Sequence, residues 1–150
     1  MNPITSKAEA ESAVDDLSGL LAGLSELVQR ETILVRAGQL RKAAEIAPLK
    51  TELAGKLYAC GERLKASAKF VMQAIPARCL TLKSAQEGLH AALQKNMVVL
   101  ATAHAVSEGI VRRLSVEVAK KASPQVYGAS GRTVAPNPKH GRPLALSRTL

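Results

Sequence analysis

The chain has 150 residues, a formal net charge of +9 and 47% apolar residues. It contains no tryptophan, and its only aromatic residues are Tyr58, Phe70 and Tyr127. A core of Ala, Leu and Val without aromatic anchors favours helices packed side by side over a rounded fold with a deep pocket, which argues against a small-molecule substrate and against an enzyme. Cys60 and Cys79 have no metal-binding or redox spacing and no apolar run is long enough to cross a membrane, so we expect a cytoplasmic protein with no cofactor, no metal and no membrane insertion.

The first predicted helix covers about residues 6–37. Ser6 and Glu9 have the spacing of a capping box, and Gly38 is suited to end the helix because glycine adopts the left-handed conformation without a steric penalty. Apolar residues recur between these ends in alternating steps of three and four, which places them on one face with Glu31 among them: Val14, Leu17, Leu21, Leu24, Val28, Glu31 and Val35.

The second predicted helix covers about residues 40–75. Pro48 divides it into a short stretch ending at Ala47 and a main helix that holds Pro48 in its first turn, and Pro76 is expected to end it. Its apolar face is formed by Leu49, Leu53, Leu57, Cys60, Leu64 and Val71.

The third predicted helix covers about residues 79–121 and contains no proline. One heptad frame holds Leu82, Leu89, Leu93, Asn96, Leu100, Ala103, Ile110 and Leu114. The three helices predict an all-α fold, an elongated antiparallel three-helix bundle or coiled coil over residues 1–121.

Two polar residues interrupt the apolar faces. Asn96 suits a hydrogen-bonded core amide that sets the helix register, although direct contact with a partner is the alternative. Glu31 is expected either to pair with a base such as Lys50 across the hairpin or to remain a partly solvated carboxylate.

Residues 122–150 differ from the rest of the chain. They hold four of the seven prolines, three glycines, four Lys or Arg and no acidic residue, which predicts a flexible basic tail. Tyr127 suits either an anchor for a binding pocket or a ring that packs back on the bundle, and the apolar Leu144 and Leu146 suit a short docking segment.

Catalytic and nucleic-acid signatures are weak in this sequence. No glycine loop cradles a phosphate, and His90 and His104, about 21 Å apart along one helix, cannot ligate the same metal ion. Basic residues are spread over the helices without interleaved aromatic residues, which disfavours nucleic acid as a partner.

Several stretches resemble the FlgN-type flagellar export chaperones. Residues 27–40 resemble the family's hairpin of a glutamate-bearing helix, a small-Gly turn and a leucine, and Lys50 and Leu53 are similar to its lysine and leucine at the start of the next helix. Asn96 between Leu93 and Leu100 resembles the family's asparagine among leucines, and residues 127–132 and 143–148 resemble the ending of alphaproteobacterial members. Gln39 departs from the family, which often has an acidic residue after the turn glycine.

The resemblance implies a non-enzymatic, cytoplasmic chaperone of flagellar type III secretion. Its partners would be the hook–filament junction proteins FlgK and FlgL, held soluble and delivered to the flagellar export gate. An amphipathic client helix would bind by groove packing, either to the outer part of the third helix or with the tail. The candidate client-binding residues are Val106, Ile110, Val111, Leu114, Val118, Tyr127, Leu144 and Leu146.

Two alternatives stay open. The extra apolar width at Val111 and Val118 suits bundle core as well as a client surface. The whole chain also suits a self-associating coiled-coil structural or regulatory protein whose basic tail binds nucleic acid or acidic lipid.

Overall fold

A computed structural model describes residues 4–122, and this part of the chain is all-α, with five helices and no strand. The helices are α1 (Lys7–Arg36), α2 (Leu40–Ala44), α3 (Ala47–Ala66), α4 (Ala68–Ala74) and α5 (Pro76–Ala122). Residues 4–106 pack as one compact unit, and residues 107–122 belong to a second. The predicted tail at 122–150 lies, from residue 123 onward, outside the described residues.

Helix α1 begins and ends as its sequence predicts. The Ser6 side chain accepts a hydrogen bond from the Glu9 amide at 3.2 Å, and the Glu9 carboxylate accepts one from the Ser6 amide, which completes the capping box. At the other end Gly38 has a φ of 71°, and the amides of Gly38 and Gln39 donate to the carbonyls of Val35 and Leu34. These two bonds form a Schellman motif, which satisfies carbonyls that the helix leaves open.

The second predicted helix is three helices in the structure. The break before Pro48 was expected, and the proline occupies the first turn of α3. The break at Ser67 was not expected. Ser67 leaves helical geometry, with φ −115° and ψ 19°, and its buried hydroxyl accepts a hydrogen bond from the Ile4 amide at 2.9 Å. A contact with a residue 63 positions away therefore accompanies the end of α3.

Helix α5 begins earlier than predicted, at Pro76 instead of about residue 79. Proline is well tolerated at the first helical position, because its missing N–H has no partner there in any case. Ile75, which precedes the proline, has φ −141° and ψ 57°, and this non-helical geometry ends α4.

The core of residues 4–106 consists of two apolar clusters along α1. The first joins Ile4 and the start of α1 to α3, α4 and the residue before α5, through Ile4, Ala10, Ala13, Val14, Leu64, Val71 and Ile75. The second joins α1 to α5 through Leu21, Leu24, Val28 and Leu89, with Leu53 and Leu57 of α3 packed against it. Six of the seven residues on the predicted apolar face of α1 are buried and Leu17 is partly buried, whereas Leu49 on the apolar face predicted for the second helix is 52% exposed.

Candidate helix-binding surfaces

A buried polar cluster, here called the polar node, joins α1, α3 and α5 and consists of Glu31, Thr32, Lys50 and Asn96. The Lys50 ammonium donates to both carboxylate oxygens of Glu31, at 2.7 and 2.6 Å. The Asn96 amide nitrogen donates to Glu31 Oε2 at 2.8 Å and to Thr32 Oγ1 at 3.0 Å. Glu31 and Asn96 are 5% and 3% exposed.

The polar node is a structural device. A buried carboxylate is tolerated when charged and neutral donors satisfy its oxygens, and here they come from two other helices. Thr32 completes the arrangement by donating to the Val28 carbonyl at 2.8 Å. Because these partners must meet simultaneously, the node fixes the register of α3 and α5 against α1, and its hydrogen-bonding groups face one another rather than an open cleft.

An apolar groove of about 820 Å³, here called the α3–α5 groove, lies between α3 and α5 with α1 at its base. Leu17 and Leu21 of α1 contribute to it, as do Leu57 and Gly61 of α3. Its remaining lining residues are Lys65, Leu82, Gln86, Glu87, Leu89, His90 and Leu93. Leucine side chains with a polar border are the surface that an amphipathic helix requires of its receptor.

Sequence reasoning did not find this groove. Leu57, Leu82, Leu89 and Leu93 were predicted to form helix-packing faces, and they do contribute to the apolar surface. The only local sequence signal of a groove was Gly61, which has no side chain to fill it. No atom lies within 4 Å of the position that a Cβ at Gly61 would take.

The second unit, residues 107–122, carries an exposed apolar surface that we call the outer stripe. It consists of Ile110, Val111, Leu114 and Val118, which are 54%, 42%, 60% and 55% exposed. Steps of three, four and seven residues place these side chains on one side of the helix. Val106, also a predicted client-binding residue, is the last residue of the first unit and is 58% exposed.

Three predicted contact residues, Tyr127, Leu144 and Leu146, lie outside the described residues. In the described part of the chain, no three His, Cys, Asp or Glu side chains are placed to hold a metal ion. No helix within residues 4–122 is both long and apolar enough to cross a membrane.

Cys60 and Cys79 are free, half-buried thiols. Burial raises the pKa of the Cys60 thiol, and the nearby charge of Asp16 raises it further, because both disfavour the thiolate. A thiol with a raised pKa is a poor nucleophile at neutral pH. Cys60 packs against the first apolar cluster.

Residues 4–122 are thus all-α, and they carry the α3–α5 groove in residues 4–106 and the outer stripe in residues 107–122. Comparisons with protein-family models, with curated proteins and with solved structures gave no match.

Proposed function

We propose that the protein is a non-enzymatic chaperone that binds an amphipathic client helix through apolar surface on α5. The observation that carries this proposal is the outer stripe, since four large aliphatic side chains on one helical face remain exposed in residues 107–122. Contiguous exposed apolar surface marks interaction sites in proteins that stay in solution.

The resemblance to FlgN-type chaperones supports a specific form of this proposal. The clients are then FlgK and FlgL, the hook–filament junction proteins, and the chaperone keeps them soluble in the cytoplasm before delivery to the flagellar export gate. The antiparallel three-helix bundle predicted from the sequence is part of the same proposal, with α2, α3 and α4 together in the place of the second predicted helix. Tyr127, Leu144 and Leu146 are proposed to contact the client or the gate.

Binding energetics favour more than one contact surface. Full burial of an aliphatic side chain contributes about 1.5–3 kcal/mol, so completing the burial of four half-exposed side chains gives roughly 4 kcal/mol. Association itself costs about 4–15 kcal/mol in lost translational and rotational freedom. The outer stripe alone therefore gives weak binding, and the α3–α5 groove is a second apolar surface for client contact.

Co-expression with the C-terminal segments of FlgK and FlgL, followed by size-exclusion chromatography, tests the proposal. We expect one segment to co-elute with the chain, and the chaperone proposal fails if neither does. Truncation after Ala122 tests the tail: unchanged binding of both client and gate would remove the tail from the proposal.

A matched pair of leucine variants separates binding from folding. Leu114 is 60% exposed, whereas Leu24 of α1 is 6% exposed and does not line the α3–α5 groove. Leu114→Ala should weaken client binding with little change in stability. Leu24→Ala should lower the free energy of unfolding by about 2–4 kcal/mol, the usual cost of truncating a buried leucine. Loss of client binding that merely follows loss of stability in both variants would refute the outer stripe as the binding surface.

Self-association is a second candidate function, because an exposed aliphatic stripe at helical spacing also suits a coiled coil between copies. Light scattering on the purified chain distinguishes the two. A stable dimer that Leu114→Ala dissociates would favour self-association. Binding to nucleic acid or acidic lipid would assign a role to the basic tail if its affinity falls steeply as the salt concentration rises.

A further inference from the structure

Charges are distributed unevenly around the outer stripe. At 100° per residue, Arg113 and Lys120 lie about 60° and 80° from Ile110 on one side of it. Lys121 lies about 20° from Ile110, within the stripe, and Arg112 lies about 160° from Ile110, on the opposite face of the helix. All four basic side chains are exposed.

The other margin of the outer stripe has a different charge. Val111 lies about 100° from Ile110 on that side, Ser115 lies about 40° beyond Val111, and the exposed acidic residue Glu108 lies about 60° beyond Val111. The Ser115 hydroxyl donates to the Val111 carbonyl at 2.9 Å, so its donor is used within the helix. The outer stripe therefore has one cationic margin, with Arg113 and Lys120, and one margin whose nearest charge is acidic.

The cationic margin is only weakly neutralised by its own helix. Glu117 Oε1 lies 3.9 Å from Lys120 Nζ, and the two side chains are 62% and 71% exposed. An exposed pair at this distance contributes little, so it does not compete strongly with a carboxylate from a bound partner.

We propose that the helix bound by the outer stripe is amphipathic with acidic side chains along one margin only, which face Arg113 and Lys120. This inference rests on the helix-binding function proposed above and specifies the chemistry of the partner. Opposite charges at one margin would favour one orientation of the bound helix. In the reverse orientation, the acidic side chains of the bound helix would lie away from Arg113 and Lys120 and would be unpaired.

A protein helix explains this arrangement better than a membrane surface does. Helices that lie in a bilayer interface carry Lys and Arg across a strongly charged polar face and insert aromatic or leucine side chains. Here Arg113 and Lys120 border one side of the stripe, and the charged Glu117 and Lys121, each about 20° from Ile110, would have to enter the membrane with the inserted face.

Two synthetic peptides test the inference on the full-length chain. They share one leucine face, and one margin carries Glu in the first peptide and Gln in the second. We expect the Glu peptide to bind about fivefold more tightly at low salt, with the difference shrinking at high salt as exposed charges are screened. Equal binding, or binding by neither peptide, overturns the inference.

Two adjacent charge reversals supply the matched control. Arg113→Glu should abolish the preference for the Glu peptide, and Arg112→Glu should leave it within about twofold of the original chain. Equal effects of the two variants would show a nonspecific electrostatic response and overturn the inference. Arg113-dependent binding to phosphatidylserine vesicles without a peptide preference would overturn it in favour of a membrane surface.

These outcomes are separable from the proposed function. If FlgK or FlgL segments bind, and Leu114→Ala abolishes that binding while the peptides show no preference, the chaperone proposal stands and the acidic-margin inference fails. If the Glu peptide is preferred but neither junction segment binds, the charge inference stands and the flagellar assignment fails.

Discussion

Two lysines of α3 offer a direct measure of what burial does to an ion pair. Lys50 and Lys56 each place Nζ 2.6 Å from a glutamate oxygen, that of Glu31 and that of Glu52. The pairs differ in exposure: the side chains of Lys50 and Glu31 are 23% and 7% exposed, whereas those of Lys56 and Glu52 are 59% and 60% exposed. Lys→Met at either position keeps the side-chain length and helix propensity close to those of lysine.

We expect Lys50→Met to lower the free energy of unfolding by about 2 kcal/mol. Removing one partner of a fully buried pair typically costs about 3–5 kcal/mol, because the other charge is left buried without compensation. The lower value applies here because the Lys50 side chain retains some exposure and Asn96 still donates to Glu31. Lys56 lowers the pKa of Glu52 through a side-chain hydrogen bond, but water screens this exposed pair, and Lys56→Met should leave the unfolding midpoint unchanged.

Urea denaturation followed by circular dichroism gives both values under one set of conditions. The double variant Glu31→Gln, Lys50→Met identifies the cause, since it removes the uncompensated charge and should recover about 1 kcal/mol relative to Lys50→Met alone. If Lys50→Met and Lys56→Met have equal effects, or if the double variant is no more stable than Lys50→Met, the polar node does not stabilise the fold as argued.

The other predictions concern backbone geometry, pH and thiol reactivity. Gly38→Ala should destabilise the chain by about 1 kcal/mol because alanine is strained at positive φ. Gly61→Ala should stabilise it by up to about 1 kcal/mol because alanine has the higher helix propensity. Thermal or urea melts measure both effects, and effects of the same sign would contradict this prediction. The backbone amide of Thr5, and then that of Ser6, lowers the pKa of Glu9, so its stabilising contribution is present above the ordinary value of 4.5 and is lost as pH falls through the lowered pKa. Unfolding midpoints of Glu9→Gln and the original chain should therefore differ at pH 7 and converge as the pH falls through the lowered pKa of Glu9. In a Cys79→Ala background, Cys60 should react with iodoacetamide more slowly in the folded chain than in urea, and equal rates would refute its raised pKa.

Local sequence signals predicted much of the fold. The capping box at Ser6 and the glycine at position 38 act within a few residues of the chain, so α1 was placed to within one residue at each end. The sequence left open whether Glu31 pairs with Lys50, and the structure places the two groups in contact.

Features that depend on distant contacts were not predictable in the same way. Serine is tolerated inside helices, and the break at Ser67 coincides with a hydrogen bond from Ile4, 63 residues earlier. The α3–α5 groove depends on how far apart the helices stand when both pack on α1, which periodicity does not specify. Leu49 has the spacing of a buried residue and yet is exposed. Helical spacing shows which face a residue occupies, but it does not show whether another helix covers that face.

The heptad frame of α5 shows the same division between what sequence specifies and what packing specifies. Leu89 and Asn96 are almost fully buried, whereas Ile110 and Leu114, in the same frame, are more than half exposed. Periodicity determines which side chains share a face, but the packing of the other helices determines whether that face is covered. Exposed aliphatic side chains carry a risk of aggregation that polar residues at these positions would avoid. In the proposed complex a bound helix would remove that exposure, and the charge at Arg113 would favour one orientation of that helix.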